Sequence, residues 1–406
     1  MPTFRSTEPG PRAARPPEPQ GAPLAGVRIL DLTRLLPGPV CTQHLADLGA
    51  DVVKIEDLGA GDAVPPKLRA LLHRNKRGIR LDLKHADGAA ALLQLARTAD
   101  VLIEGFRPGV MARLGLDHAA VSAVNPRLVY CSITGYGQHG PDRDRPGHDL
   151  NYCAEAGVAD QIGTVHGPAL SNVPIADLIG GALGAAMGIL AALVDAQRSG
   201  RGRHVDIAMA DGALAHAVMP LAALATSGRT RRAGTDTLTG GLACYATYRT
   251  ADDRWLAVGA LERKFWDALC DAVKRPDWKP LHRSGRRETE ELLRGELAAL
   301  FASRTLAEWD VQLRHAGCCV SPLRTLEEAL ADAQFRAREM VFESVHPSYG
   351  PVTQVALPVR MSGHQFAIHR HAPRPGEHTA EVLREAGYDD AAIDALMTRG
   401  AAAAAS

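Results

Sequence analysis

The alternation of short apolar runs with helical stretches between residues 24 and 130 is the feature that most constrains the fold. Strands are predicted at 27–32, 51–56, 79–83, 100–105 and 128–137, and helices at 41–50 and 89–99. The strand segments are continuously apolar, which is typical of a parallel sheet covered by helices on both faces. The sequence therefore predicts an α/β fold, whose ligands usually bind at the carboxyl ends of the strands.

The pattern changes in the second half of the chain. A long helix at 178–196, a strand at 204–209 and a helix at 211–225 precede a polar, glycine-rich connector. Two antiparallel strands and a helix then indicate a smaller domain. The predicted organisation is a disordered leader at 1–22, the first part of a large domain at 23–226, a linker and small α+β domain at 227–319, a return to the large domain at 320–390 and a flexible tail at 391–406.

Composition excludes several classes of function. Lys and Arg together equal Asp and Glu at 46 each, so nothing predicts nucleic acid or a membrane surface as a partner. The seven cysteines show no CxxC and no Cys/His ligand spacing, so no metal site is predicted. With 4% aromatic residues, the core is expected to consist of Ala, Leu, Val and Ile. The apolar run at 178–194 is predicted as a buried helix, and without an apolar signal segment the protein is expected to be cytoplasmic.

Two polar residues stand out where the common nucleotide-binding and hydrolase motifs are missing. His148 follows Pro and Gly in PGHDLNYCAEAG, and a surface or structural role is the alternative to catalysis. Asp177 precedes a long helix of small residues, where the alternative is an N-cap that accepts from the helix amides. Gly180, Gly181 and Gly184 lower helix propensity there, so we expect close backbone packing or close approach of a ligand.

Several segments together resemble the family III CoA-transferase superfamily, which includes the CaiB/BaiF-type transferases and α-methylacyl-CoA racemase. The resemblance covers about residues 23–360. It implies a large Rossmann-like domain and a small domain in an interlocked homodimer, with active sites between the domains of the two subunits. The segments that carry it are PLAGVRILDLTRLLPGPVCTQHLADLGADVVKIE, RLDLKHADG, ADVLIEGFRPGVMARLGL, VYCSITGYGQHGP, GHDLNY, ADLIGGALGAAMGILAAL and SGRGRHVDIAMADG.

The racemase branch is the more similar one in two places. GHDLNY places a histidine before the aspartate, and the small-domain segment from Gly240 to Phe265 matches the racemase pattern. The resemblance implies a 2-methylacyl-CoA racemase that works by 1,1-proton transfer through an enolate. His148 and Asp177 would be the acid/base pair, and Glu262 would orient or charge-balance His148. We expect the backbone N–H of Asp177 or a neighbour to bind the enolate oxygen.

The resemblance also implies where CoA binds, and no cofactor or metal is expected beyond the CoA moiety of the acyl-CoA substrate. Racemases often carry an arginine where this chain has Asp57, so Lys54 or Arg74 is expected to supply that phosphate contact. The implied CoA-binding residues are Leu81, Asp82, Leu83, Lys84, Gly105, Phe106, Arg107, Arg113, Asn151 and Tyr152.

Two alternatives stay open. The stretch ADLIGG is similar to the transferases, in which Asp177 would attack the thioester and carry CoA as an aspartyl-CoA intermediate. His148 would then be only a pocket residue. A catalytically silent CoA-binding or assembly protein is the other alternative, and the joint presence of His148, Asp177 and Glu262 argues against it. The sequence leaves the acyl group open.

Overall fold

The computed structural model describes residues 21–59, 61–62 and 64–405, which form two compact units. The first unit comprises the chain up to Cys153, Pro174–Ala215 and the chain from Arg336. The second comprises Ala154–Val173 and His216–Phe335. The second unit is therefore larger than the predicted small domain at 227–319, and the chain returns to the first unit at 336 rather than 320. Apart from its last two residues, the predicted leader at 1–22 lies outside the described residues.

Fourteen strands are found in the described part of the chain. They are β1 Arg28–Asp31, β2 Asp51–Glu56, β3 Lys76–Leu81, β4 Val101–Glu104, β5 Val129–Thr134, β6 Gly163–Thr164, β7 Gly167–Pro168, β8 His204–Ala208, β9 Tyr245–Arg249, β10 Trp255–Gly259, β11 Val320–Pro322, β12 Val341–His346, β13 Gly350–Val355 and β14 Ala402–Ala403.

The α-helices vary from single turns to 16 residues. A π-helical segment, Ala176–Leu183, runs directly into the longest of them, α7. The helices are α1 Pro37–Asp47, α2 Pro66–Leu72, α3 Ala86–Ala96, α4 Val110–Arg113, α5 His118–Val124, α6 Asp149–Glu155, α7 Gly184–Ser199, α8 Met209–Ala215, α9 Val218–Ser227, α10 Arg263–Ala272, α11 Arg287–Phe301, α12 Leu306–Leu313, α13 Leu326–Ala331, α14 Ala333–Ala337, α15 Thr379–Glu385 and α16 Asp390–Thr398.

A seven-stranded sheet with the order β14-β3-β2-β1-β4-β5-β8 organises the first unit. Within this sheet, β3, β2, β1, β4, β5 and β8 are all parallel, which confirms the predicted α/β sheet. The edge strand β14 is antiparallel to β3. From β1 the chain builds outward on one side through β2 and β3, and on the other through β4 and β5. The connections that leave β1 and β4 therefore diverge, and such a switch point forms a crevice suited to a ligand.

The two units have different cores. One face of the large sheet packs against α3, α5, α15 and α16 through Leu, Val, Ile and Ala side chains, as the composition predicts. The second unit, which contains the antiparallel sheet β11-β10-β9, is built differently. Its core includes Trp266, Trp278 and Trp309, three of the four tryptophans of the chain. The prediction of an aliphatic core is therefore wrong for the second unit, because the few aromatic residues are concentrated there.

The helical stretch Ala176–Ser199 is long and apolar enough to cross a membrane by length and composition, and 39% of its most apolar window is buried within the protein. Its inner residues include Ala185, Ile189 and Ala192. They lie on the side of α7 that contacts β5, β8 and α1. The stretch thus contributes one side to the core of the first unit, whereas its other side is exposed, so the predicted buried helix is only partly buried.

The predicted single helix at 211–225 is two helices. α8 ends at Ala215 and α9 begins at Val218, so the break falls at residues 216 and 217. Pro220 is the third residue of α9, where its missing N–H costs no helical hydrogen bond. Proline disrupts an uninterrupted helix at this position but is well accommodated in a first turn.

The predicted flexible tail at 391–406 is instead ordered in its described part. α16 covers most of it, and β14 pairs with β3 at the edge of the large sheet. The preceding helix α15 is held by ion pairs, because Arg77 contacts Glu381 and Glu385, and Arg28 contacts Glu385, all at 2.7–2.9 Å. Arg28 and Arg77 are buried, so these contacts also supply their charge compensation.

Candidate active site

A cavity of about 180 Å³ opens at the switch point of the large sheet. Residues that follow the carboxyl ends of β1, β4 and β8 line it, together with residues from the segments around α6 and the π-helix. Both predicted catalytic residues of the first unit are among them. The polar and glycine residues of the lining include Thr33, Arg34, Gly105, His148, Tyr152 and Asp177.

His148 is exposed and lies immediately before α6. Its backbone N–H donates to Asn151 Oδ1 at 3.0 Å, and the Tyr152 hydroxyl donates to the carbonyl oxygen of Gly147 at 2.5 Å. A Cβ on Gly147 would lie 2.6 Å from the Tyr152 ring, and one on Gly135 would lie 2.3 Å from it, so only glycine fits at either place. Asn151 and Tyr152, predicted as CoA-binding residues, thus fix the backbone that presents His148.

Asp177 is not the N-cap that the sequence alternative suggested. It is the second residue of the π-helical segment, whose N-cap is Ile175. The backbone N–H of Asp177 donates to Asp149 Oδ1 at 3.0 Å. This N–H is therefore not available for an enolate oxygen, so of the two expected donors only a neighbouring N–H stays a prediction. Short π-helical segments within α-helices are frequently found at functional sites.

The electrostatic surroundings of Asp177 adjust its basicity. Burial raises its pKa, and the neighbouring Asp149 carboxylate raises it further, whereas His148 lowers it. The resulting pKa is about 6. A carboxylate with this pKa is mostly ionised at neutral pH and is a stronger base than an ordinary aspartate.

Close backbone packing explains the first two glycines after Asp177. A Cβ on Gly180 would lie 2.6 Å from the carbonyl oxygen of Met209 and 3.2 Å from the Cα of Gly212. A Cβ on Gly181 would lie 2.9 Å from the Pro37 side chain. These contacts seat the π-helical segment against α8 and the start of α1. Gly184 would meet nothing closer than 3.6 Å, so packing does not require glycine there.

A buried group of charges supports the wall of the cavity formed by Thr33. Asp31 accepts from both the N–H and the hydroxyl of Thr33, at 2.9 and 2.6 Å. Lys54 donates to the carbonyl oxygen of Thr33 and lies 3.1 Å from Asp62. Because Lys54 is fully buried and Arg74 is bound to Asp47 in the interior, neither can reach a phosphate, contrary to the sequence-based expectation.

Arg34 is a site residue that the sequence analysis missed. It is exposed, lines the cavity and forms an ion pair with Asp57, the residue that replaces an arginine common in racemases. Its guanidinium carbon lies 5.8 Å from the centroid of the Phe106 ring. A lone arginine in the apolar, proline-rich segment TRLLPGP gives no pattern from which this position could be inferred.

The predicted CoA contacts at Leu81–Lys84 and Gly105–Arg107 lie at the same edge of the sheet, separated by β2 and β1. Lys84, Arg107 and Arg113 are exposed there, and Leu83 and Phe106 pack against the same core cluster.

Leu81 and Asp82 fit the predicted contacts with CoA less well than the exposed basic residues at this edge. The Leu81 side chain is buried in the core, which leaves it no surface for a ligand. Asp82 is engaged by the chain itself, because its N–H donates to Ala401 and its carboxylate accepts from the N–H of Lys84 at 2.9 Å.

Glu262 lies in the second unit. It directly precedes α10, and its exposed side chain makes no cap hydrogen bond to that helix. Leu261, Arg263, His282 and Arg283 surround it in a shallow depression of that unit. Its predicted role at His148 stays a prediction.

Together, a parallel α/β sheet and a carboxylate and an imidazole in one cavity at the switch point define an enzyme suited to acid–base or acyl-transfer chemistry. The family model described as CoA-transferase family III matches residues 24–379. The chain belongs to this family and is a family III acyl-CoA enzyme.

The relatives that are similar to this chain include racemases and CoA-transferases. Alpha-methylacyl-CoA racemase of Homo sapiens is 34% identical over 368 residues, which cover 90% of this chain and 94% of the relative. Succinyl-CoA:glutarate CoA-transferase of Mus musculus is 32% identical over 394 residues, covering 93% and 90%. The crystal structure of a CAIB/BAIF family protein from Brucella suis superposes with a TM-score of 0.79 at 28% identity, covering 90% of this chain and 100% of that one.

Proposed function

We propose that the protein is a 2-methylacyl-CoA racemase that inverts the α-carbon by 1,1-proton transfer. The observation that carries this proposal is that His148 and Asp177 line the same cavity, where the pKa of Asp177 is about 6. Inversion needs a base on one face of the α-carbon and a proton donor on the other. An imidazole and a carboxylate supply this pair without a metal, and each positioned group typically contributes about 10²–10⁴-fold to the rate.

In this proposal one of the two residues removes the α-proton, and the electron pair moves into the thioester carbonyl to give an enolate. The other residue then delivers a proton to the opposite face, and the thioester is restored. In the reverse direction the two residues exchange roles. Lys84, Arg107 and Arg113, which are exposed at the carboxyl edge of the sheet, are assigned to the phosphates of CoA.

We further propose the homodimer that the family resemblance implies, with Glu262 orienting His148. In support, α7 and its N-cap residue Leu183 present a stripe of exposed apolar side chains, Leu183, Met187 and Val194, with exposed fractions of 50%, 72% and 46%. Patches of this kind on a soluble domain mark interaction surfaces.

Incubation with a 2-methylacyl-CoA in deuterium oxide tests the racemase proposal. The wild-type protein is expected to exchange the α-hydrogen and to racemise a pure enantiomer. Asp177→Asn and His148→Ala are each expected to lose at least about 10²-fold in exchange rate, because each removes one positioned acid–base group. Asp160→Asn, at an exposed aspartate of the second unit, serves as a matched control with unchanged exchange. No exchange by the wild-type protein with any 2-methylacyl-CoA contradicts the proposal.

A CoA-transferase is the second candidate, favoured by the similarity to Succinyl-CoA:glutarate CoA-transferase. Asp177 would attack the thioester carbonyl and expel CoA thiolate, which would then attack the mixed anhydride and release the first carboxylic acid. The resulting aspartyl-CoA thioester would transfer CoA to a second acid. A free carboxylate acceptor in the same incubation, followed by hydroxylamine trapping and mass analysis of the peptide with Asp177, separates the two reactions.

A further inference from the structure

A row of polar side chains crosses the large sheet next to the reaction cavity. The parallel register pairs Glu104 of β4 with Ser132 of β5, and Ser132 with Asp206 of β8. Directly paired residues project from the same face of a sheet, so the three side chains lie in line. Glu104 and Ser132 are 4% and 2% exposed, whereas Asp206 is exposed on the edge strand. The proposed proton transfer uses none of them.

Hydrogen bonds connect this row to the loop that follows β4. Glu104 Oε2 accepts the backbone N–H of Phe106 at 2.8 Å, and the neighbouring Ser132 hydroxyl lowers the pKa of the same carboxyl group. Ser132 Oγ also lies 3.0 Å from His204 Nε2. His204, Ser132 and Glu104 therefore lie side by side on neighbouring strands.

The loop held by Glu104 reaches the cavity. Gly105 lines the cavity together with His148 and Asp177. The Phe106 ring packs against the core of the first unit and lies beneath Arg34, which also lines the cavity. Fixing the N–H of Phe106 therefore fixes the backbone on both sides of it.

We propose that Glu104 is a positioning residue of the reaction, whose carboxylate holds the backbone of Gly105–Arg107 for the CoA ester and whose protonation loosens that hold. Burying a carboxyl group lowers stability, so a buried carboxyl group beside a candidate active site, such as Glu104, indicates a functional role. The identity of the ligand, CoA, rests on the proposed function, whereas the effect of Glu104 on the loop does not.

Glu104 changes its charge near neutral pH. Burial raises its pKa to about 7, Asp206 acts in the same direction, and the Ser132 hydroxyl and the Phe106 N–H act in the opposite direction. Of the other titratable groups nearby, burial raises the pKa of the Tyr130 and Cys131 side chains and lowers that of His204. These three are therefore uncharged at pH 7. Above pH 7 the ionised Glu104 makes the stronger, charge-assisted hydrogen bond to Phe106.

Calorimetric titration with free coenzyme A between pH 6 and 8.5 tests whether the ionisation of Glu104 affects CoA binding. For the wild-type protein, CoA affinity is expected to fall below pH 7, by at most about tenfold per pH unit for one proton. Glu104→Gln keeps an acceptor for the Phe106 N–H, but it cannot ionise, so it is expected to remove this fall in CoA affinity below pH 7. Ser132→Ala is expected to move the midpoint to higher pH and Asp206→Asn to lower pH, because their effects on Glu104 have opposite signs. Equal pH profiles for wild type and Glu104→Gln overturn the proposal.

Amide hydrogen exchange provides a readout that does not depend on CoA. Glu104→Leu removes the acceptor, so the peptide containing Phe106 is expected to lose protection relative to wild type at the same pH, and Glu104→Gln to retain most of it. Loss of protection without CoA binding in any variant supports the positioning role and contradicts the proposed function. Unchanged protection in a folded Glu104→Leu overturns the positioning role.

Discussion

At the scale of single residues, Asp149 contributes to both the position and the basicity of Asp177. Its carboxylate accepts the Asp177 N–H and, as a like charge, adds to the burial that raises the pKa of Asp177. One side chain thereby anchors the start of the π-helical segment and keeps a base of pKa about 6 beside His148. A base with a pKa close to the working pH is the most effective one.

Asp149→Asn is expected to shift the acidic limb of kcat/KM to lower pH. The amide oxygen can still accept the Asp177 N–H, but the like charge is gone, so the pKa of Asp177 falls below about 6. The pH dependence of α-deuterium exchange between pH 4.5 and 8 measures this shift. Asp144→Asn, whose side chain is 78% exposed, is the matched control. An acidic limb that stays in place shows that Asp149 does not adjust this base.

The sequence identified His148 and Asp177, and the structure brings them to one cavity. The sequence could not identify the residues that position these two side chains or shift their pKa. Asp149 and Asp177 are 28 positions apart, and only the folded chain shows that the carboxylate of one meets the amide of the other. The sequence offered Lys54 or Arg74 for a phosphate, but it could not show that two aspartates distant in the chain compensate Lys54 in the interior.

At the scale of elements, the contact between the π-helical segment and α8 positions Asp177 in the candidate site. Gly180 and Gly212 meet backbone to backbone, and a Cβ on Gly212 would lie 2.2 Å from the Cα of Gly180. The sequence predicted close packing from the glycines but placed Asp177 at the start of an ordinary helix. Local propensity carries no signal for a π-helical winding, which tertiary contacts impose here.

Gly180→Ala and Gly184→Ala are expected to have opposite effects on stability. The first forces a methyl group against backbone and should lower the free energy of unfolding by about 1–3 kcal/mol, with loss of activity because Asp177 moves. The second places alanine at a helical φ of −59° with room for its Cβ, and should raise stability by about 0.5–1 kcal/mol. Urea denaturation with deuterium-exchange assays measures both. Equal destabilisation by the two substitutions contradicts this packing argument.

At the scale of the whole molecule, the division of the chain was only partly predictable. The order of strands in the first half followed from their apolar pattern, and β2 has the predicted bounds. The boundaries at 153, 174, 215 and 336 did not follow, because which segments pack together is decided by contacts distant in sequence. The prediction of a flexible tail was wrong for the same reason. The alanine-rich segment forms a strand only because it pairs with the edge strand β3, which is distant in sequence.

Met187→Glu is expected to weaken the proposed homodimer. Met187 is 72% exposed at the centre of the apolar stripe on α7, and a buried, unpaired charge there would oppose association. Light scattering after size-exclusion chromatography measures the molar mass. Val311→Glu, at an exposed valine on α12, is the control that should leave the mass unchanged. A monomeric wild-type protein contradicts the dimer itself.

The pairing of β14 with β3 has a consequence for biosynthesis. Glu385 follows Arg77 by 308 positions, so for most of translation Arg77 can pair only with Asp51, its partner on β2 at 2.8 Å. Until β14 is synthesised, the edge of β3 stays open, a feature that favours pairing with other chains. Translation order thus leaves the first unit vulnerable to aggregation until its final strand emerges from the exit tunnel.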